Sequence, residues 1–493
     1  MRRNMPIFYS ALLLTGVNLL LRTVSTSFQV YLSGRIGAAG IGLLQLVLSV
    51  GAMALTAGMA GVRTATMYLT AEELGHKRKG NVTWVLSGCV GYSILCSGAI
   101  GLLLQFFAPT LAGSWIGDSR TENTIRLLGV FLPVHCLCGV MTGYFTAANR
   151  IRTLAAVEVA EQLLYMAVTL TALEHLAGDD PVKACQCVVL GSGISACLTL
   201  ACLVILRLLE RPGTNPRIAV SRRLLRIAVP LGFADDLKAG ISTTENLIVP
   251  KRLALYNAAT DPLAAFGMVC GMVFPILMFP AAILFGLNEL LIPELARCNA
   301  AGSRNRIQYL AKRSLRVAML YGCLCGGLEF LLADHLCLRL YSSIEAAKYL
   351  RWFAILIPML YCDMVTDAMT KGLGQQNACV RYNILTSLMD VVFLYILLPH
   401  YGMGGYFSSF LITHLLNFLL SLRRLSKITE LPLSLSTAAA TGIATIVCLY
   451  LCSFPEQILI RCIAFPLAFF AVLTLFGVLK KEDLRWVSSL IRR

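Results

Sequence analysis

Long apolar runs recur from one end of the chain to the other, separated by short polar segments. Each run is close to the ~20 residues an α-helix needs to cross a hydrocarbon core of ~30 Å. The pattern predicts about 14 membrane spans, at 7–32, 40–68, 83–107, 125–148, 154–176, 184–208, 224–256, 263–293, 314–333, 350–370, 381–399, 404–422, 433–453 and 458–479. The opening segment MRRNMPIFYSALLLTGVNLLL looks like a signal peptide. No small-residue cleavage site closes it, however, and the apolar run continues to Val30, so it reads as a retained first span.

The short connections alternate in charge. One side receives Arg2/Arg3, the Lys77-Arg78-Lys79 run, Arg150/Arg152, Arg222/Arg223, the basic loop from Arg297 to Arg313, Arg423/Arg424 and the basic C-terminus. The other receives Asp118, the Asp179-Asp180-Pro181 turn, Asp261-Pro262, Glu345, His400 and Glu456, with Arg120, Lys183 and Lys348 as exceptions. This sorting predicts an even number of spans, in a cell membrane, with both termini cytoplasmic.

Within the spans, polar residues fall on helical faces. Thr15, Asn18, Arg22, Ser25, Thr26 and Gln29 share an arc of about 80° on the first span. Gln45, Ser49, Thr56 and Arg63 share about 40° on the second. On the seventh, Asp235, Lys238, Ser242, Glu245 and Arg252 form one row, which Asp236 and Lys251 leave. On the tenth, Asp363, Thr366, Asp367 and Thr370 cluster, while the last two spans carry no such stripe. Small polar residues commonly glue helices together. Arg22 and Arg63 could snorkel or pair, and Asp235 and Lys238 could neutralise each other three residues apart. Charged stripes on several spans exceed what gluing explains. They predict a hydrated central cavity in which Arg22, Arg63, Lys238 and Arg252, with Gln29 and Asn18, bind an anionic group, since Arg favours phosphate and carboxylate. Asp235, Glu245, Asp363, Asp367 and Glu161 would pair with those cations or bind a coupling Na⁺ or H⁺. No other cofactor and no metal is expected.

Composition narrows the class further. Hydrophobic residues make up 57% and charged residues 14% of 493 residues, against about 25% charged in soluble domains. The net charge of +16 sits in the short connections, so nucleic-acid binding is not expected and anionic lipid is the natural partner. The 18 cysteines lie mostly in apolar runs, as small hydrophobes do. No HExxH, GxSxG or P-loop pattern occurs, and Asp179-Asp180 reads as a turn cap. An enzyme is therefore not expected.

A weak internal repeat is visible. Glu158, Glu161, Gln162 and Tyr165 of the fifth span correspond to Asn383, Thr386, Ser387 and Asp390 of the eleventh. The repeat predicts an all-α integral membrane protein of two six-helix lobes, 1–210 and 211–428, with two C-terminal helices in 429–493. The site would lie near mid-membrane.

Three segments carry a family resemblance: FGMVCGMVFPILMFPAAILFGLNELLIPELARCNAAGSRNRI, GYFTAANRIRTLAAVEVAEQLLYMAV and GVRTATMYLTAEE. Together with the span count, they resemble the stage V sporulation protein B-like branch of the multidrug/oligosaccharidyl-lipid/polysaccharide exporter superfamily. The resemblance implies alternating access by a two-lobed bundle, acting on lipid-linked oligosaccharides or peptidoglycan precursors. It implies that Arg22, Arg63 and Arg252 line a cationic cavity, and that the last two spans form an apolar groove for a prenyl tail. The chain departs from the branch in having Tyr165 where an Arg is frequent and Arg63 where an uncharged residue is frequent. The expected function is thus a flippase for such a lipid-linked saccharide, acting as a monomer among membrane lipids. The alternatives are a cation-coupled multidrug exporter and, from another class, a scaffold of an envelope-synthesis complex.

Overall fold

The computed structural model describes residues 7–76, 79–178, 180–209, 221–256, 261–430, 435–453 and 457–478. In chain order the helices are α1 (Ile7–Met59), α2 (Val62–Gly75), α3 (Lys79–Thr110), α4 (Glu122–Ala147), α5 (Ile151–Ala172), α6 (Pro181–Leu208) and α7 (Ser221–Leu253). There follow α8 (Pro262–Gly267), α9 (Phe274–Met278), α10 (Ala281–Ala300), α11 (Arg304–Tyr341), α12 (Ile344–Ala354) and α13 (Ile357–Gly372). The series ends with α14 (Gln376–Tyr401), α15 (Met403–Thr429), α16 (Leu435–Ser453) and α17 (Ile458–Leu475). No strand occurs among the described residues.

Nine described stretches are long and apolar enough to cross a membrane, or eleven when each of two bent pairs is one span. The first runs 57 residues, Leu19–Gly75, about 85 Å of helix, and so holds two spans. Its turn lies at Gly37, where φ is 70° and ψ 178°. The short apolar stretch Ala439–Ser453 of α16 and the charge-bearing α7 bring the total to about fourteen spans, as the hydropathy predicts.

Three predicted spans differ in detail. The second is broken at Ala60 and Gly61, both at positive φ (41° and 72°). The eighth bends by 60° between α9 and α10, and the tenth by 54° between α12 and α13. Pro280 and Pro358 sit at these bends, where a residue without an N–H interrupts the hydrogen-bond ladder.

Contacts divide the chain into two compact units: Met1–Val30 with Met268–Arg493, and Tyr31–Gly267. In the Tyr31–Gly267 unit, Val62, Ala65 and Leu69 of α2, Val85 and Cys89 of α3 and Val140 of α4 form one buried cluster with Leu224 and Ala228 of α7. The polar residues of α7 also join this packing. The Thr243 hydroxyl donates to the Ser49 carbonyl at 3.0 Å, and the Asn246 amide to the Ser49 hydroxyl at 2.9 Å. By contacts α7 thus belongs with α2–α6, although its sequence pattern heads the second six-span repeat.

In the other unit, α11 packs against α12, α13, α16 and α17. Phe465, Phe469 and Leu473 of α17 and Cys448 and Cys452 of α16 are buried together with Cys323 of α11. The cysteines throughout are free thiols.

Candidate functional site

The seventh span is a single helix, so the predicted row on α7 keeps its phase. Asp235, Lys238 and Ser242 are exposed and Glu245 and Arg252 half-buried, while Ile241, Thr243, Leu247 and Val249 turn into the protein. Asp236, off the row, points inward, and its Oδ1 is buried without a hydrogen-bond partner. Lys251, also off the row, is exposed and donates to the Ser114 carbonyl.

The predicted alignment of Arg63 with Gln45, Ser49 and Thr56 does not survive. The positive-φ break at Ala60–Gly61 resets the helix phase, and Arg63 falls on α2 beyond it. Ser49 and Thr56 instead bond back to their own helix, at the carbonyls of Gln45 and Ala52. This is how hydroxyls four residues on are commonly satisfied. Arg63 itself is exposed. It packs by its main chain against Gly143 of α4, and its charge acts on Glu158 of α5. Glu161, one turn further on α5, is half-buried.

In the unit containing Met268–Arg493, Arg22 is half-buried and its buried Nε has no hydrogen-bond partner. Gln29 donates its amide to the Gly271 carbonyl at 2.9 Å. The side chain of Asn18 lies outside the described residues.

The tenth-span cluster is rearranged. Thr366 and Thr370 are fully buried and bond to the Cys362 and Thr366 carbonyls, so they line no cavity. The two carboxylates face α15. Asp363 accepts from the Asn417 amide at 3.1 Å, and Asp367 from the Ser421 hydroxyl at 3.4 Å. Asp367 also pairs with Lys371 at 3.6 Å. Further along α15, Ser409 and Thr413 donate to Asp390 of α14 at 2.5 and 3.1 Å.

Ser409, Thr413, Asn417 and Ser421 thus form a buried polar row that meets three carboxylates. Its signal was available in the sequence as a strict spacing of four within an apolar helix. A second feature without a sequence signal is Glu329 of α11, which is 6% exposed. A third is Glu73, which accepts from Asn81 at 2.9 Å and pairs with Arg223 at 3.1 Å. Among the described residues no three His, Cys, Asp or Glu side chains converge as metal ligands would.

These features can be compared with known proteins. The MatE family model matches residues 15–171 and 253–396. Stage V sporulation protein B of Bacillus subtilis (strain 168) is 22% identical over 518 residues, covering 96% of this chain and 96% of that protein. Among solved structures, lipid II flippase MurJ in an inward closed conformation superposes with a TM-score of 0.70 at 12% identity, covering 97% of this chain and 99% of that one. An inward-facing multidrug resistance MATE family transporter of the MOP superfamily gives 0.68 at 17% identity, covering 84% and 96%.

Proposed function

The chain belongs to the MatE family and is a multi-pass membrane transporter of the MOP superfamily rather than an enzyme, and from that premise we propose that it flips a lipid-linked oligosaccharide or peptidoglycan precursor by alternating access. Arg22, Arg63, Lys238 and Arg252 hold the anionic headgroup, with Gln29 and Asn18 as polar contacts. The prenyl tail stays in lipid. The protein acts as a monomer in the cell membrane, with both termini cytoplasmic.

One observation carries this reading. In α7, Asp235, Lys238 and Ser242 of the charged row are exposed and Glu245 and Arg252 half-buried, where the hydropathy pattern predicts a membrane span. Charges at that depth are costly unless they face a hydrated path or a charged ligand. Arginine supplies bidentate donors matched to phosphate oxygens, and the unsatisfied Nε of Arg22 is a donor awaiting an acceptor. The homology to stage V sporulation protein B and the fold shared with lipid II flippase MurJ support the same substrate class.

Native mass spectrometry of the full-length protein, purified with its lipids, tests the reading. A polyprenyl-phosphate species should co-purify and be lost in the Arg22→Ala/Arg63→Ala variant. Consistent absence of any such lipid, with transport intact in that variant, refutes it.

A cation-coupled exporter of small organic molecules is the second reading. It is favoured by the row of Asp363, Asp367 and Asp390 along α15, whose carboxylates suit Na⁺ or H⁺ better than they suit an anion. Efflux from proteoliposomes that requires a Na⁺ or H⁺ gradient and fails in Glu245→Gln would favour it. A scaffold of an envelope-synthesis complex should tolerate neutralising the whole α7 row, whereas a transporter should not.

A further inference from the structure

Glu329 lies on α11 in the unit that contains Met268–Arg493, and only 6% of it is exposed. Both carboxyl oxygens are buried and neither has a hydrogen-bond partner. The neighbouring glycines let other helices pack closely beside it. A Cβ at Gly326 would lie 2.7 Å from the Ala354 carbonyl of α12, and one at Gly327 would lie 2.2 Å from the Phe465 ring of α17.

Three titratable groups lie within electrostatic reach of the carboxyl: Tyr321 and Cys325 on α11 itself, and Tyr361 on α13. The hydroxyls of both phenols bond to main-chain carbonyls of the α9–α10 segment. Among the described residues no charged group acts on Glu329. An ionised carboxylate in such a place is expensive, because nothing replaces its lost hydration.

The two phenols that feel this carboxyl are themselves tied to a neighbouring segment. Their rings stack, with centroids 5.9 Å apart. Tyr321 donates to the Pro280 carbonyl at 2.9 Å, and Tyr361 donates to the Leu277 carbonyl at 3.0 Å. Both carbonyls sit at the 60° bend between α9 and α10, where the Pro280 carbonyl also accepts from the Ile283 N–H at 3.2 Å. With their protons committed to the bend, the phenols have only oxygen lone pairs to offer a neighbour. A protonated carboxyl can donate to such lone pairs, whereas a carboxylate, which only accepts, cannot use them.

We infer that Glu329 is a proton-binding site whose occupancy is sensed by the bend between α9 and α10 through Tyr321 and Tyr361. With the proton on, the neutral acid makes no demand on its neighbours and the phenols stay on the Pro280 and Leu277 carbonyls. With the proton off, the carboxylate draws a phenol O–H toward itself and a carbonyl at the bend is released. The coupling ion of the transporter is then H⁺, bound apart from the Asp363 and Asp367 pair. That place in a transport cycle rests on the transporter reading above, but the protonation does not.

Infrared spectroscopy of the full-length protein in lipid bilayers, titrated with acid and base without substrate, tests the site. Wild type should show a protonated-carboxyl band that disappears at high pH and is missing from Glu329→Gln at every pH. A tyrosine C–O band should shift with the same midpoint and stay fixed in Glu329→Gln. Three results overturn the inference: spectra that do not differ between wild type and Glu329→Gln, a Glu329 band that never titrates, or tyrosine bands indifferent to it. Because no lipid substrate is present, failure here leaves the lipid-linked substrate reading standing, and failure to capture a polyprenyl phosphate leaves Glu329 standing.

Discussion

The ends of α2, α3 and α7 meet at a cluster whose energetics can be worked out. Arg223 pairs with Glu72 at 2.7 Å, where the side chains are 43% and 40% exposed, and with Glu73 at 3.1 Å, where the glutamate is 2% exposed. The exposed pair contributes about 0–1 kcal/mol. Hydrogen bonds to a charged group contribute about 1.5–3 kcal/mol. Because water reaches Arg223, the lower end of that range applies to Glu73. Arg223→Ala should therefore cost about 2 kcal/mol, most of it from removing the guanidinium 3.1 Å from the buried Glu73 carboxylate. Glu73→Gln should be destabilising alone, yet should cost about 1 kcal/mol less in the Arg223→Ala background, where the Arg223 pairing it would break is already gone. The assay is a double-mutant cycle of unfolding free energies for the full-length protein in mixed micelles. If Glu73→Gln costs the same in both backgrounds, the pair does not hold α7 to α2, and the argument fails.

Two further outcomes follow from the same geometry. Gly232→Val should destabilise by about 1–3 kcal/mol, because a Cβ there lies 2.7 Å from the Ala60 carbonyl carbon and 3.0 Å from its Cα. Gly240→Ala, with nothing within 4 Å, should instead stabilise the same helix, and thermal unfolding of the two variants should move in opposite directions. In the turn before α4, the hydrogen bond from Arg120 holds the Asp118 carboxyl below the usual carboxylate range. A lowered folded-state value means that the turn's stabilisation is present above the unfolded-state range and lost as pH falls through the folded-state one. Emission of the adjacent Trp115, followed into acid, should show a transition that Asp118→Asn abolishes.

The two units present different chemistry to any ion or substrate. In the Tyr31–Gly267 unit, cations and acids alternate along one face of α7. In the other unit, Asp363, Asp367 and Asp390 are met from α15 mainly by neutral donors, with Lys371 touching only Asp367. Neutral donors orient a carboxylate without cancelling its charge. The three carboxylates of one unit are thus oriented by α15 donors, whereas α7 of the other carries both signs of charge on one face.

How much of this was legible beforehand depends on how local each cause is. Span number, helix class and the α7 row could be read because hydrophobic length and a 3.6-residue period are properties of one helix alone. Arg63 was misaligned because a break at Ala60 and Gly61 changes phase by adopting positive φ, and an Ala-Gly pair inside an apolar run does not announce which backbone well it occupies. Thr366 and Thr370 looked like cavity residues because a hydroxyl that bonds its own helix and one that faces water have the same spacing. The polar row of α15 had a readable period, but its meaning came only from Asp363, Asp367 and Asp390, which lie 54, 54 and 19 or 23 positions away in the chain. Glu329 is the limiting case. Nothing about one glutamate in GGLEFLLADH tells a lipid-facing charge from a buried acid. The difference lies in two tyrosines, one of them on another helix, whose protons are already committed to a bend elsewhere in the fold. Polar residues in membrane helices acquire function from their partners, so the sequence can mark where such partners are needed but cannot say which ones arrive.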